Sequence, residues 1–321
     1  MNPTTETVAC IGGIVLDRKA RVPGGARPGT SNPVSVTTAT GGVASNIARN
    51  LAHLGCRVSL FSILGDDDSG STVLRDLENS GVDATAIMRS RHHPTASYTA
   101  VLEPTGELFI GLADMDIFED LDSAWADRMA PRLAECSVWV VDTNLPGRTI
   151  ERLLLTHKGR ASVLADPISI VKSERIRSSL AAVDVLFPNR KEAAVLTGLP
   201  AETPEEIAKA AAELRRVGVG TVVVTLGGDG VYLHSAGHGR LLRAIPAKKV
   251  LDVTGAGDAL VAGYAYAMLA GSEHDPALFG LAAASLTVET EDSVAPDLTP
   301  TRILERIRSA TAARQAHESI P

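Results

Sequence analysis

Six short apolar runs, rich in β-branched residues, alternate along this chain with amphipathic, alanine-rich segments. The runs lie at 7–15, 57–65, 136–144, 162–167, 183–189 and 220–228. The segments with helical spacing lie at 44–54, 69–80, 123–134, 147–156, 190–197 and 204–217. The runs lack alternating polar residues, as is typical of parallel strands that helices cover on both faces. This order predicts an α/β fold with a doubly wound, mostly parallel sheet flanked by helices.

Two segments interrupt this alternation. Residues 17–40, in an inserted segment of about 14–40, are polar and rich in Gly, Pro, Ser and Thr. Residues 95–117 alternate like two strands around the turn "EPTGE". Neither pattern suits a buried parallel strand. We therefore expect a single domain over residues 1–321, with a small antiparallel β lid formed by the two inserted segments.

The composition limits the classes of partner. The net charge is −7, no basic run stands out and aromatic residues are 3% of the chain, so neither a nucleic acid nor a membrane surface is expected. The longest apolar run, Ala259–Gly271, is shorter than the ~20 residues that span a bilayer. No signal-peptide pattern opens the sequence, and Cys10, Cys56 and Cys136 form no CxxC motif. We expect a cytoplasmic protein.

The heptapeptide "DVTGAGD", residues 252–258, stands immediately before an apolar helical segment. Its glycines let the backbone approach a ligand closely, and amide hydrogens at a helix N-terminus form a site for anions. Asp258 then has two interpretations. It is either a helix-capping residue or a general base that takes a proton from an alcohol while the amides stabilise a transferred phosphoryl group. The heptapeptide alone does not decide between them.

Three other motifs are ambiguous when taken singly. Paired glycines at 41–42 precede a helical segment that carries Asn46. Asn189 and Glu192 fit a helix capping box, although an acid at that position could also orient hydrated Mg²⁺. The segment "TLGGDG" at 225–230 joins two strands, so it is not a dinucleotide-binding fingerprint, and no P-loop motif occurs in the sequence.

Taken together and in this order, the motifs at 41–42, 189–192, 225–230 and 252–258 resemble those of the ribokinase-like (PfkB) family of carbohydrate and nucleoside kinases. The resemblance extends over nearly the whole chain. It implies a ribokinase-like fold. It also implies a phosphotransferase that uses ATP and Mg²⁺ to phosphorylate an alcohol group of a small nucleoside or sugar.

The resemblance implies roles for individual residues. Asp258 would be the general base, and the anion hole would be formed by the backbone amides of Gly255, Ala256 and Gly257. The residues expected at the nucleotide, with Glu192 acting on Mg²⁺ indirectly, are Asn189, Glu192, Thr225 and Gly227. The residues expected to hold the sugar hydroxyls are Asp17, Gly41, Gly42 and Asn46.

The same resemblance carries two further expectations. Many family members bind a monovalent cation, usually K⁺, beside the anion hole. Asp252 and Thr254 match this site, and backbone carbonyls from about 285–294 would complete it, among them those of Ser285, Val288 and Thr290. In such kinases the lid closes over the sugar and often supplies a dimer contact, so a homodimer through the lid is expected.

Within the family, the segments at 29–36, 95–117, 140–146 and 287–298 resemble pseudouridine kinases. This implies transfer of a phosphoryl group from ATP to the 5′-hydroxyl of pseudouridine. The polar residues expected to contact the uracil ring are Thr30, Ser31, Asn32, Thr95, Ser97, Asp114, Asp116 and Asn144. Thr30 departs from the subfamily pattern, in which Asp precedes "SNP".

Two kinds of alternative stay open. One is another ribokinase-like kinase, acting on ribose, on adenosine or inosine, or on 2-keto-3-deoxygluconate. The low aromatic content disfavours purine stacking, and the polar lid segments disfavour a simple sugar. The other alternative is a catalytically silent nucleoside-binding protein. The intact "GAGD" disfavours it, since a binder has no need of Asp258 among phosphate-binding amides.

Overall fold

An eight-stranded sheet forms the centre of the computed structural model, which describes residues 6–157 and 159–318. The strands of the chain are β1 Thr7–Ile11, β2 Val15–Arg21, β3 Ser35–Gly41, β4 Arg57–Phe61, β5 Ile63–Gly65, β6 Met88–Ser90, β7 Ser97–Leu102, β8 Leu108–Asp114, β9 Val138–Asp142, β10 Ser162–Asp166, β11 Val185–Leu186, β12 Thr221–Thr225, β13 Val231–Ser235 and β14 His238–Leu242. The order in the central sheet is β14-β13-β12-β11-β10-β9-β1-β4. In this sheet the neighbouring strands among β4, β1, β9, β10, β11 and β12 pair in parallel. The pairs β12–β13 and β13–β14 are antiparallel.

Helices cover both faces of this sheet. They are α1 Val43–His53, α2 Asp68–Asn79, α3 Ser123–Leu133, α4 Gly147–His157, α5 Ile170–Ser173, α6 Arg190–Thr197, α7 Pro204–Arg216, α8 Ala256–Leu269, α9 Pro276–Thr287 and α10 Pro300–Glu318. Successive residues of β1 alternate between two buried clusters: Val8 and Cys10 pack with α1, α8 and α9, whereas Ala9 and Ile11 pack with α3, α4 and α7. The predicted doubly wound fold class is confirmed.

Two helices that are apolar on all sides, α8 and α9, pack closely against each other. A Cβ added at Gly263 would lie 2.8 Å from the carbonyl oxygen of Phe279, and one added at Gly280 would lie 2.6 Å from that of Leu260. Glycine at these positions permits the close approach. The packing holds the first turn of α8 beside the carboxyl ends of the parallel strands, where sheets of this kind bind ligands.

A second sheet, in the order β3-β2-β7-β8, forms the predicted lid. Strands β2 and β3, and strands β7 and β8, are antiparallel pairs, and a parallel pairing of β2 with β7 joins them. Because cross-strand partners share a face of a sheet, Asp17 and Tyr98 lie on one face, whereas Ser97 and Asp114 lie on the other. We call the face of Asp17 the inner face and the opposite face the outer face.

Some features lie outside the sequence expectations. The sequence patterns do not predict the pair β5–β6, since three residues are too few to show a period. They also do not predict α5 or the 3₁₀ segment Glu174–Ala182 that follows it. Among the described residues, no helix is both long and apolar enough to cross a membrane. The expectation about a signal peptide falls partly on residues 1–5, which lie outside the described ranges.

Candidate functional site

Asp258 lies in the first turn of α8. Gly255 caps this helix and has the left-handed conformation, with φ 80°. Asp258 is 9% exposed, and its Oδ2 accepts a hydrogen bond of 2.8 Å from Asn46 Nδ2. Burial raises the pKa of Asp258 to about 7, and the charges of Asp142 and Asp17 act in the same direction. A carboxyl group that titrates near neutrality can accept a proton at physiological pH.

The paired glycines bring the lid and the start of α1 together beside Asp258. A Cβ added at Gly41 would lie 1.9 Å from Asp17 Oδ2, and one added at Gly42 would lie 2.5 Å from the carbonyl oxygen of Gly13. Gly42 also caps α1 with φ 96°, a conformation that favours glycine. Burial raises the pKa of Asp17 to about 6. The four residues expected to hold sugar hydroxyls, completed by Asn46, therefore lie around the start of α1.

Asp142, at the end of β9, accepts hydrogen bonds from the segment before β2 and from the start of α1. It is fully buried, and its Oδ2 accepts from the backbone amides of Gly13 at 2.8 Å and Ala44 at 2.9 Å. Asn144 donates its backbone amide to Oδ1 at 2.8 Å and its side-chain amide to Oδ2 at 3.2 Å. Burial raises the pKa of Asp142 although these donors oppose the shift. Asp142 belongs to "DTN", one of the polar segments that directly follow an apolar strand and so indicate a site, but the sequence assigns it no individual role.

A cavity of about 190 Å³ opens on the other side of Asp258. The polar groups that line it are Asp166, Asn189, Glu192 and Thr225, together with Gly257 and Asp258 in the first turn of α8. A Cβ added at Gly257 would have no neighbour within 4 Å, so the backbone of the turn faces open space. Three of the residues expected at the nucleotide, Asn189, Glu192 and Thr225, therefore line the same cavity as Gly257 of the expected anion hole. The fourth, Gly227, is exposed at φ 60° just beyond Thr225.

Asn189 and Glu192 form a complete capping box at the start of α6. Asn189 donates its backbone amide to Glu192 Oε2 at 2.9 Å and its side-chain amide to Oε1 at 2.6 Å. Glu192 returns its backbone amide to Asn189 Oδ1 at 3.0 Å. Burial raises the pKa of Glu192 although these bonds oppose it. The capping interpretation is therefore correct, and the same carboxylate also lines the cavity.

Asp166, in the polar segment "ADP" at the end of β10, is a second residue to which the sequence assigns no individual role. It lines the cavity with Glu192 and Asp258. Burial raises its pKa well above the ordinary value, and the charge of Asp258 adds to the shift. Ile168, whose backbone amide donates to Asp166 Oδ1 at 2.8 Å, has a positive φ of 63°. A β-branched residue rarely adopts this conformation, and such strain is concentrated at functional sites.

Three carboxyl groups around one cavity are suited to a divalent cation that keeps its waters. Among residues 6–157 and 159–318, no group of three His, Cys, Asp or Glu side chains is arranged to ligate a metal ion directly. The donor set thus fits hydrated Mg²⁺ and does not provide an all-protein metal cage.

A cationic side chain from the segment after β10 lies beside Asn144 and Asp142. Lys172 Nζ donates to Asn144 Oδ1 at 2.5 Å, and Asn144 in turn contacts Asp142. Burial lowers the pKa of Lys172, while the charge of Asp142 opposes that shift. No sequence motif pointed to Lys172, because the residue lies in the unpredicted helix α5.

The lid reaches the turn before α8 through an ion pair. Lys19 Nζ lies 2.8 Å from Asp252 Oδ2. Thr254 donates its backbone amide and its hydroxyl to Asp252 Oδ1, at 2.9 and 2.7 Å. These donors outweigh the effect of burial and lower the pKa of Asp252 to about 2.

Several residues expected at the nucleobase lie away from Asp258. Ser97 and Asp114 pair with each other on the outer face of the lid, opposite Asp17. The residues of the connection between β2 and β3 that were expected at the base are Thr30, Ser31 and Asn32. Asn32 Oδ1 accepts from the amide of Arg27 at 2.9 Å, so its side chain shapes this connection. The structure does not bring these five residues to Asp258.

The remaining expected residues of the base site are divided. Asn144 is buried beside Asp142 and is thus within the site. Thr95 is buried at the base of the lid, where its backbone amide donates to Asp67 Oδ2 at 2.8 Å. Asp116 is exposed in the 3₁₀ segment Asp116–Asp120. Tyr98 on the inner face was not predicted, although its position between Ser97 and Thr99 in an alternating strand was a usable sign.

The residues expected at a monovalent cation lie together behind the turn before α8. Ser285 Oγ accepts from Arg306 Nη1 at 2.6 Å. The carbonyl oxygen of Val288 accepts from the amide of Leu251 at 2.8 Å. Thr290 Oγ1 donates to the carbonyl oxygen of Asp292 at 2.9 Å.

Comparison with known proteins gives concordant results. Residues 5–301 match the family described as pfkB family carbohydrate kinase. The pseudouridine kinase of Escherichia coli (strain K12) is 32% identical over 87% of this chain and 90% of that protein.

Two solved structures have the same fold. A carbohydrate kinase from Agrobacterium tumefaciens superposes with a TM-score of 0.84 at 30% identity, covering 95% of this chain and 97% of that one. The ribokinase of Arabidopsis thaliana, complexed with ribose and ATP, superposes with a TM-score of 0.82 at 25% identity, covering 96% and 99% of the two chains.

Proposed function

The chain belongs to the PfkB family of carbohydrate kinases, and from this premise we propose that it transfers a phosphoryl group from ATP to the 5′-hydroxyl of pseudouridine. Membership of the family makes it a phosphotransferase with an alcohol group as acceptor. The kinases of this family use ATP with Mg²⁺. The identity of the acceptor is the part we propose.

One observation supports the reaction most directly: Asp258 lies between two sets of groups. On one side are Asp17 and Asn46, which can hold sugar hydroxyls, and on the other is the cavity lined by Gly257 in the first turn of α8. The acceptor hydroxyl would give its proton to the carboxylate of Asp258. Its oxygen would bond to the γ-phosphorus as the bond to the ADP oxygen breaks.

The first turn of α8 supplies stabilisation for the transferred group. The amides of Gly255 and Gly257 lie at a helix N-terminus, where backbone donors and the helix dipole favour negative charge. The amide of Ala256, the third expected donor, makes a long hydrogen bond of 3.3 Å to the carbonyl oxygen of Val253. Such donors lower the barrier because they are already oriented when charge develops. Asp258 can share this turn with a phosphate because burial holds its pKa near neutrality.

The acids across the cavity suit the nucleotide side. Asp166 and Glu192 would hold the waters of Mg²⁺, which when bound offsets the charge of the ATP phosphates. Thr225 and the exposed Gly227 would lie against the nucleotide. Lys172 adds a fixed positive charge at the same end of the sheet.

Pseudouridine is proposed as the acceptor on the strength of the 32% identity to a pseudouridine kinase and the polar environment of Asn144, which offers an amide to an imide or a hydroxyl. A specific observation favours ribose as the second candidate. Ser97 and Asp114, expected at the base, lie on the outer face of the lid.

The acceptor can be identified by an assay of ADP release with pseudouridine, uridine, ribose, adenosine and 2-keto-3-deoxygluconate. We expect kcat/KM for pseudouridine to exceed the others at least about tenfold, with ³¹P NMR assigning the product to the 5′ position. Preferential turnover of ribose would overturn the proposed acceptor. Binding by calorimetry with no turnover of any acceptor would instead identify a silent nucleoside-binding protein.

Two side chains expected at K⁺ have cationic partners in this structure. The side-chain oxygens of Asp252 accept from Lys19 and Thr254, and the hydroxyl of Ser285 accepts from the guanidinium of Arg306. No step of the reaction is derived through K⁺.

We also propose that the protein forms a homodimer through the lid. Val36 on β3, Ile110 and Leu112 on β8 lie on the outer face and are 53%, 45% and 54% exposed. Contiguous exposed apolar side chains mark interaction surfaces. Sedimentation velocity should show a dimer for the parent protein and a monomer for Leu112→Lys. A monomer for the parent protein as well would contradict the proposal.

We place the reaction in the cytoplasm, where ATP is available. The three cysteines are buried, as suits thiols in a reducing compartment.

A further inference from the structure

Lys19 and Asp252 join two parts of the molecule that are far apart in sequence. Lys19 is on lid strand β2, and Asp252 begins the turn that leads into α8. Their side chains meet at 2.8 Å. Because strand residues two apart share a face, Lys19 lies on the inner face with Asp17. The ion pair is therefore formed at the side of the lid that covers the proposed acceptor site.

Asp252 also fixes the shape of the turn itself. Its Oδ1 accepts from the backbone amide and the hydroxyl of Thr254. The backbone then passes through Gly255 in the left-handed conformation, and the amide of Ala256 donates to Val253 at 3.3 Å. One carboxylate thus uses Oδ1 to hold the anion-hole turn and Oδ2 to hold the lid.

The pair lies near the protein surface. The side chains of Lys19 and Asp252 are 44% and 25% exposed. An ion pair this exposed contributes little to the stability of the fold. Its geometry matters more, because one partner belongs to the lid sheet and the other to the turn that leads into the expected anion hole, whose donors must be ordered for phosphoryl transfer.

We propose that Lys19 is a positioning residue that latches the lid to the anion-hole turn, and that its ammonium group is the counter-ion of Asp252. The pair is complete only when the lid is closed, so substrate that favours the closed lid also favours the ordered turn. Lys19 thereby does at Asp252 what a diffusible cation was expected to do. The catalytic part of this inference rests on the proposed function, whereas the latch itself is a property of the protein alone.

Hydrogen exchange of the protein without added ligands tests the latch directly. We expect Lys19→Gln to speed exchange about tenfold in strands β2 and β3 and in residues 252–256. Lys209→Gln removes the same charge from an exposed position of α7, which packs on α6, β12 and β13 rather than on the lid, and should exchange like the parent. Equal exchange in the parent and Lys19→Gln would overturn the latch. This result does not depend on which acceptor the enzyme uses.

Kinetics with the preferred acceptor of the panel test the coupling. We expect Lys19→Gln and Asp252→Asn each to lower kcat/KM about tenfold. The double variant should be no worse than either single variant, because both remove the same contact. Lys19→Arg keeps the charge and should stay within about threefold of the kcat/KM of the parent. Additive losses would contradict a shared role. Absence of turnover with every acceptor would refute the proposed function while leaving the exchange result standing.

The counter-ion role has its own test. Parent enzyme should have the same kcat in KCl and in tetramethylammonium chloride of equal ionic strength. Activation by KCl of more than about threefold would show that Lys19 does not replace the diffusible cation, and would overturn that role.

Discussion

The two sides of the site differ in how their polar groups are held. On the side of the central sheet, Asp142, Glu192 and Asp258 are all buried, and each accepts hydrogen bonds from groups fixed by a helix start or a strand end. On the lid side, Lys19 is partly exposed and its partner Asp252 belongs to an exposed turn.

This difference separates chemistry from positioning. Buried polar groups with several fixed donors are pre-organised, so they can act on a transition state without rearranging. Partly exposed groups on a small sheet can follow the arrival and departure of a ligand. We therefore expect substitutions on the sheet side to lower kcat, and substitutions on the inner face of the lid to act mainly through KM.

The largest effect is expected for Asp258→Asn. Removal of the proton acceptor should lower kcat by about 10³-fold, with a small change in KM, because the group acts in the transition state. Steady-state kinetics measure both constants, and circular dichroism controls for the fold. A variant that keeps a kcat near that of the parent would show that Asp258 is not the base.

The residues on the side of the central sheet were predicted well because their motifs form local structures, a helix N-terminus and a capping box. "TGAGD" before an apolar helix predicts a helix N-terminus with Asp258 in its first turn, and the structure has this arrangement. The Asn189–Glu192 spacing predicts a capping box, which is present. Such local patterns depend on residues that are neighbours in the chain.

Long-range features of the site could not be derived in this way. Asp142 and Asp166 belong to strands separated in sequence from α8, and only the parallel register brings them beside Asp258. Lys172 lies in a helix of four residues, too short to show a period. For the lid, the hairpins were predicted but the faces were not, because a one-residue shift in the alternation exchanges the inner and outer sets.

The second-largest effect concerns the anion-hole turn. Gly255 and Gly227 both have positive φ, but a Cβ at Gly255 would lie 1.9 Å from the carbonyl oxygen of Ser293, whereas one at Gly227 would meet nothing within 4 Å. Gly255→Ala should therefore displace the turn and lower kcat about 10²-fold. Gly227→Ala bears only the backbone strain, of about 1 kcal/mol in unfolding experiments, and should keep most of its kcat. Equal losses of kcat would contradict this account of the turn.

The next effect is a pH dependence set by Asp258. Its carboxylate is the proton acceptor and its pKa is about 7, so kcat/KM should fall tenfold for each pH unit below about 7 and level off above it. The folded-state pKa lies above the ordinary value, so the folded protein binds more protons between the two pKa values. Stability should therefore fall as pH rises from about 4 to about 7, and Asp258→Asn should abolish this part of the fall. A kinetic midpoint near pH 4 would contradict the environment described for Asp258.

The smallest effect should separate the two faces of the lid. Tyr98 lies on the inner face with Asp17, and its ring crosses Gly111, where an added Cβ would lie 2.4 Å from the Tyr98 hydroxyl oxygen. A flat aromatic ring held in this way can stack on a nucleobase. Tyr98→Leu should therefore raise KM for pseudouridine about fivefold and leave KM for ribose and kcat nearly unchanged. Ser97→Ala, one residue away on the outer face, should change neither constant; a larger effect at Ser97 than at Tyr98 would reverse the assignment of the faces.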